Sequence, residues 1–269
     1  MAGVQEHYSA HGIESRILAA LRAAGLDPDR GLSAQSLGAL DHFHTGGLRA
    51  SRELMELAQV GPATRVLDIG AGLAGPARML ASAHGCRVDC IDLTPGFCAG
   101  AKLLNRLTGL DDRIAVHVGS ALDLPFADQS FDVVWMQNVG MNIADKRRLY
   151  AEIHRTLKAG GRYAFQEMAA GNAATSYFPL PWATDPADSF LVSLDEMRAA
   201  LEAGGIVAER LEDTSDEHLR RVAADTSAPS PLTLGVYVDN LAQKAANAKR
   251  SLQEGQVRLV RGVFRRLPG

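Results

Sequence analysis

Glycines 70, 72 and 75 stand in G-x-G-x-x-G spacing directly after the apolar run Val66-Leu67-Asp68-Ile69. A strand that enters such a turn and leaves it as a helix lets backbone approach a nucleotide closely, because no side chain stands in the way. Two carboxylates sharpen the reading. Asp92 closes the next apolar run, twenty residues beyond Gly72, where a carboxylate can accept hydrogen bonds from ribose hydroxyls. Asp68 lies two residues before the first glycine. A pyrophosphate would be repelled there, since it needs bare N–H groups and a helix N-terminus. A ligand carrying an ammonium and a sulfonium would be attracted. The residues therefore favour S-adenosylmethionine, with NAD second.

Other residues could do chemistry around that ligand. His42 and His44 flank Phe43 in a glycine-bounded loop, Asp41 to Gly47, and strand-like alternation would put both imidazoles on one side, against a pocket. Glu167 ends an apolar run, where active-site groups of open sheets collect; its plain alternative is an ion pair with Arg162 or Lys158. Tyr177, Phe178, Trp182 and Phe190 lie in a proline-rich stretch and read either as a lid core or as faces for a cationic substrate. Tyr8 reads as packing or as a cap on the pocket.

Composition narrows the classes. The 269 residues are 46% apolar and 22% charged, with net charge −3 and pI about 6.2, which suits one large α/β domain and no nucleic-acid partner. The one basic cluster, Arg258, Arg261, Arg265 and Arg266, alternates with apolar residues, as the solvated face of a strand does. No apolar h-region opens the chain and no run reaches about 18 apolar residues, so a cytoplasmic protein is expected. Cys86, Cys90 and Cys98 lack zinc-ligand spacing and read as packed thiols in a reducing compartment; no metal is expected.

The elements that must position these residues follow from periodicity. Apolar runs alternate with helical-period segments from Arg65 onward, which argues βαβ units and a mainly parallel sheet. Strands are expected at 65–69, 87–91, 114–118, 131–136, 162–168, 206–211 and 257–264. Helices are expected near 75–84, 95–108, 145–157, 194–203 and 239–254, with Asp145 and Ser193 as N-caps. The turn Lys158-Ala159-Gly160-Gly161 is expected to separate a helix from the fifth strand. Residues 1–60 read as a helical lid, with Ile13, Ile17, Leu18 and Leu21 on one face. Residues 61–269 read as the ligand-binding domain, with substrate-covering insertions near 169–192 and 214–255.

Five segments together, His42 to Gly47, Val66 to Gly75, Gly119 to Phe126, Trp135 to Lys146 and Leu157 to Arg162, resemble class I S-adenosylmethionine-dependent methyltransferases. The resemblance is to the small-molecule branch that includes ubiquinone and tocopherol C-methyltransferases, sugar O-methyltransferases and sarcosine/dimethylglycine N-methyltransferases. It implies a Rossmann-like α/β fold with seven strands in the order 3-2-1-4-5-7-6, strand 7 antiparallel. By position it implies that Asp68, Gly70, Ala71 and Gly72 hold the methionine moiety and that Asp92 takes the ribose, with Leu93 against the adenine. Ser120, Ala121 and Leu122 would flank the adenine, and Gln137 and Asn138 would lie under the sulfonium. His42, Phe43, Met141, Trp182 and Tyr8 are the candidate acceptor contacts. Ser120 stands where many relatives carry an acid and Asn138 where many carry histidine, which removes a titratable group from the fourth strand.

The function expected is methyl transfer to a small molecule, an amine of the glycine-betaine type first and a phenol, quinol or sugar second. An NAD-dependent oxidoreductase or a non-catalytic S-adenosylmethionine binder are the readings from other classes. Only an acceptor that must lose a proton needs a base; His44 is the first candidate and Glu167 the second. S-adenosylhomocysteine would be the product, and the chain would act as monomer or homodimer.

Overall fold

A computed structural model of the chain describes residues 12–173, 176–225 and 232–268. Seven strands form one sheet: β1 (Arg65–Ile69), β2 (Arg87–Asp92), β3 (Ile114–Val118), β4 (Phe131–Gln137), β5 (Leu157–Ala170), β6 (Ile206–Asp213) and β7 (Val257–Arg266). They lie in the order 3-2-1-4-5-7-6. Pairings among β1 to β5 are parallel, and β7 runs antiparallel to both β5 and β6. Strand β1 is buried from Val66 to Ile69, as a continuous apolar run inside a parallel sheet must be.

The helices are α1 (Ile13–Ala23), α2 (Gly47–Ala58), α3 (Gly75–His84), α4 (Pro95–Leu107), α5 (Lys146–Thr156), α6 (Leu194–Ala203), α7 (Ser215–Ala224) and α8 (Leu241–Gln253). Their starts follow local chemistry. Asp145 accepts the Arg148 N–H at the start of α5, and Ser193 and Glu196 close a reciprocal capping box on α6. Proline occupies the first turn of α3 and α4, where its missing N–H costs nothing.

Two expectations change. The Lys158–Gly161 turn is absorbed into β5, which begins at Leu157. Phe131 pairs with Leu157 and Val133 with Arg162, so the extra residues form a bulge. Gly160, at φ 75°, makes the bend, and any Cβ on Gly161 would stand 3.0 Å from the Asp132 carbonyl. The segment 214–255 carries a second helix, α7, which the sequence reading passed over.

Packing joins α1 to the late insertion. Ile13, Ile17 and Leu21 of α1 form one cluster with Leu73, Phe97 and Leu104 and with Tyr237 and Val238 from the late insertion. Leu54 and Ala58 of α2 pack on the sheet centre, against Val66, Trp135 and Val263. The basic residues of β7 are engaged: Arg261 pairs with Glu53 and Glu212, Arg265 with Glu209, and Arg266 donates to the carbonyls of His154 and Leu157. Cys86, Cys90 and Cys98 are buried free thiols. Burial pushes Cys86 up to about 11 and Cys98 to about 12, so they behave as packing groups. Among the described residues no helix is long and apolar enough to cross a membrane.

Candidate functional site

A cavity of about 730 Å³ opens at the carboxyl ends of β1, β2 and β4, the place where open α/β sheets bind ligands. Its lining includes Asp68, Gly70, Ala71, Gly72, Asp92 and Leu93, then Ser120, Ala121, Leu122, Gln137 and Asn138. All eleven residues expected to meet the cofactor are thus brought to one wall.

The glycine turn is shaped by what surrounds it. At Gly70, φ 68°, a Cβ would stand 2.3 Å from Val139 Cγ2, so this glycine lets the turn pack on the end of β4. At Gly75 a Cβ would meet the Asp41 carbonyl at 2.1 Å. Gly72, φ 54°, has nothing within 4 Å of its Cβ direction and lines the cavity. Its bare backbone leaves space for a ligand rather than for protein.

Asp92 is tied on both oxygens: Oδ2 accepts the Gly72 N–H at 2.9 Å and Oδ1 the Thr94 N–H at 2.8 Å. It stays partly exposed to the cavity, and each oxygen keeps a lone pair for a ribose hydroxyl. Asp68 is different. It is 2% exposed and its Oδ2 has no hydrogen-bond partner among the described residues. Burial first, and the Asp92 carboxylate second, push its carboxyl up to about 8, against the pull of Arg78. A buried carboxylate with an unpaired oxygen at a cavity wall is a site for a cation.

Arg78 holds this region together. Its fully buried guanidinium donates to Asp41 Oδ2 at 2.9 Å, to Asn105 Oδ1 at 2.7 Å and to the Leu73 carbonyl at 2.5 Å. The loop from Asp41, the glycine turn and α4 are therefore fixed by one cation.

The loop 41–47 closes the next side of the cavity. Gln166 Nε2 donates to the Thr45 carbonyl at 2.6 Å and to Asn138 Oδ1 at 3.3 Å, and the Thr45 N–H donates to Asn138 Oδ1 at 3.4 Å. Asn138 sits at φ 54°, which asparagine tolerates better than most residues. Below the loop, Ser51 Oγ and Trp135 Nε1 both donate to Gln137 Oε1, at 3.1 and 3.0 Å. With its proton so used, Ser51 Oγ accepts from His44 Nε2 at 2.9 Å and His42 Nδ1 at 3.2 Å. With the His44 proton on Nε2, Nδ1 accepts from Gln137 Nε2 at 3.4 Å; the Thr45 carbonyl lies at the same distance from Nδ1 and would accept from the other tautomer. Burial and the neighbouring His42 push His44 down to about 3, so the ring is neutral and weakly basic.

Several expected residues fall elsewhere. His44 lines the cavity but His42 does not; it is 6% exposed, held behind Ser51, and pushed to about 3 by burial and Arg78. The loop is irregular, so alternation does not carry both rings to the cavity. Glu167 lies off the cavity too. On β5 the side chains of Gln166 and Met168 serve the loop side, while Glu167, between them, projects to the other face. There Oε1 accepts the N–H groups of Val139 and Gly140, each at 3.0 Å, and burial raises the carboxyl to about 7. Its expected partners are taken, Arg162 by Glu209 and Lys158 by Asp132.

Phe43, Met141 and Trp182 line the cavity, as does Phe190. Tyr177 instead turns outward, its hydroxyl on Glu254 and its ring 3.9 Å from the Arg250 guanidinium carbon. Tyr8 lies outside the described residues. The sequence reading missed Thr45, Met168, His218, Leu219 and Val222 in the lining. Parity with Gln166 would have found Met168, and the 219/222 spacing was the signal for α7. Among the described residues no group of three or more histidine, cysteine or carboxylate side chains could hold a metal.

A family model described as Methyltransferase domain matches residues 67–165. The glycine/sarcosine/dimethylglycine N-methyltransferase of Actinopolyspora halophila is 36% identical over 130 residues, which are 48% of this chain and 23% of that protein. The sarcosine/dimethylglycine N-methyltransferase of Aphanothece halophytica is 38% identical over 104 residues, 39% of this chain and 38% of the other. The chain thus spans less than half the length of these curated relatives. Among solved structures, geranyl diphosphate C-methyltransferase from Streptomyces coelicolor superposes with TM-score 0.65 at 20% identity, over 86% of both chains. That similarity covers more of the chain than residues 67–165.

Proposed function

We propose that this chain, whose residues 67–165 match a methyltransferase domain, transfers a methyl group from S-adenosylmethionine to a small amine. The cofactor fits on features of the cavity itself: the unpaired buried oxygen of Asp68 for its ammonium, the bare Gly72 for its backbone approach and Asp92 for its ribose. Leu93 and residues 120–122 stand where the adenine would lie, and Gln137 and Asn138 line the wall at the end of β4. When bound, the cofactor supplies an electrophilic methyl group on a sulfonium, whose leaving group is a neutral thioether.

The chain's part is to align the acceptor with that methyl and to exclude water. The observation that carries the amine reading is the state of His44. Both its ring nitrogens are engaged, toward Ser51 and Gln137, and its basicity is depressed. Glu167, the other candidate base, is held off the cavity by two backbone amides. A phenol or sugar hydroxyl needs a base; an amine that arrives neutral brings its own lone pair. In this reading His44 is a wall of the acceptor site and an acceptor of Gln137, and Glu167 positions the turn after β4. The named activities of the two bacterial relatives lie in the same class.

The segment before α2 and the insertions after β5 and β6 serve as the cover of the site, the acceptor entering between them. A reducing cytoplasm suits three buried free thiols. The test is turnover with methyl-labelled S-adenosylmethionine and a panel of amines, phenols and quinols, followed by mass spectrometry. Label on nitrogen is expected. Label confined to oxygen or carbon overturns the amine reading.

A further inference from the structure

We infer that the acceptor carries a hydrocarbon body, seated against an apolar wall built by α7 and α8, in addition to the nitrogen that takes the methyl group. This rests on the methyl-transfer reading above.

Besides the residues of the glycine turn and of β4, the cavity has an apolar lining supplied by two helices. Helix α8 presents Leu241, Ala245, Ala248 and Leu252 to it, at spacings of four, three and four that make one stripe along a helix. Helix α7 adds Leu219 and Val222, one turn apart. Val222 lines the cavity and is 39% exposed. The opposite, charged side of α7 is occupied: Arg221 pairs with Glu53 on α2 and with Glu217. This fixes which side of the helix faces the cavity. Trp182, 3% exposed with its Nε1 on Ser189 Oγ at 3.0 Å, faces the wall with its apolar ring rather than a free donor.

A glycine derivative would bring a carboxylate, which proteins hold with planar guanidinium pairs or buried N–H groups. Among the described residues no arginine lines the cavity, and Lys249, exposed on α8, is its one lysine. Asp188 also lines the cavity, and a carboxylate there disfavours an acidic acceptor. The wall suits an amine whose remainder is hydrocarbon.

The full chain, saturated with S-adenosylhomocysteine, is titrated by calorimetry with N,N-dimethylalkylamines of two, four, six and eight carbons and with N,N-dimethylglycine. Affinity is expected to rise about fourfold per added methylene until the wall is covered, with dimethylglycine weaker than the four-carbon amine. Val222→Asp is expected to weaken the eight-carbon amine by about tenfold or more, and to leave S-adenosylhomocysteine affinity unchanged. A flat series, or dimethylglycine binding more tightly than the six-carbon amine, overturns the inference and leaves the amine reading standing. If alkylphenols show the same slope and take label while no amine does, the amine reading fails and the wall remains. The series on the unaltered chain decides the matter even where the variant does not fold.

Discussion

Replacing Asp68 by asparagine keeps the shape of the side chain and removes its charge, and the consequences divide cleanly between the empty and the occupied site. In the empty protein the carboxyl is held at about 8 by burial and by Asp92. It is therefore mostly protonated at pH 7, and an incoming ammonium must displace that proton. Cofactor affinity should rise with pH, about tenfold for each pH unit below 8. Above 8 the rise ends and reverses, because a free α-amino group itself loses its charge at about 7.7–8.0. The binding constant should thus peak near pH 8, with a proton released on the acid side and taken up on the alkaline side. Calorimetry in two buffers of different ionisation enthalpy measures both.

For Asp68→Asn the acid limb should vanish, leaving only the fall above pH 8. Near pH 8 the loss should be large, because removing one partner of a buried ion pair costs about 3–5 kcal/mol, or two to four orders of magnitude in affinity. Stability of the empty protein should move the other way. A carboxyl raised in the folded state contributes stability that is complete below the unfolded value, about 3.9, and is lost as pH rises through 8. A rise from 3.8 to about 8 corresponds to roughly 6 kcal/mol lost above pH 8, which the asparagine does not lose. The variant should melt higher than the parent at pH 8.5 and bind far more weakly. Affinity within threefold of the parent across pH 6–9 would refute this account of Asp68.

Other perturbations probe the rest of the site. His44→Ala should lower kcat by less than about tenfold with no new break in the pH–rate profile, whereas loss of a general base would cost about 10²–10⁴; a loss of that size would restore His44 as the base. Glu167→Gln should gain stability over the parent as pH rises from 5 to 8, reaching about 3 kcal/mol, since the parent carboxyl is raised from 4.5 to about 7 and loses its contribution through that window. Parallel melting curves across that range would contradict it. Gly70→Ala should destabilise the fold, because its Cβ would lie 2.3 Å from Val139. Gly72→Ala meets no such neighbour and should cost about 1–2 kcal/mol for its left-handed backbone, with a larger loss in cofactor affinity. Equal effects on melting and on binding at both positions would show that the two glycines do not differ as argued.

Most of the cofactor half was legible in the sequence because its information is local. One βαβ unit, Arg65 to Asp92, contains the strand, the turn, the helix and both carboxylates, and the pleat and helix periods fix where each points. The acceptor half was not legible for the same physical reason inverted. Glu167 and Gln166 are neighbours on β5, yet a shift of one residue moves a side chain to the other face, and the apolar run 162–168 is buried on both faces and does not say which is which. His42 and His44 belong to an irregular loop whose shape is set by distant hydrogen bonds to Gln166 and Asn138. Helix α7 went unread because its cavity-facing side, His218, Leu219 and Val222, has only two large apolar residues, and its remaining residues are charged or small.

The two halves also differ in what they ask of charge, and this difference links cofactor and acceptor. Around the glycine turn, the Asp92 carboxylate lies close enough to raise the proton affinity of Asp68, and only Arg78 opposes it. The field there favours a cationic ligand. A bound sulfonium would in turn make any nearby imidazole still less basic, and His44 is already depressed before it arrives. The bound sulfonium, and not the anionic wall, therefore works against holding a protonated base beside it. An acceptor that needs no base removes that conflict. The arrangement of Asp68, Asp92 and His44 thus argues for a neutral nitrogen as nucleophile from the cofactor side, independently of the apolar wall that argues for the acceptor's body from the other.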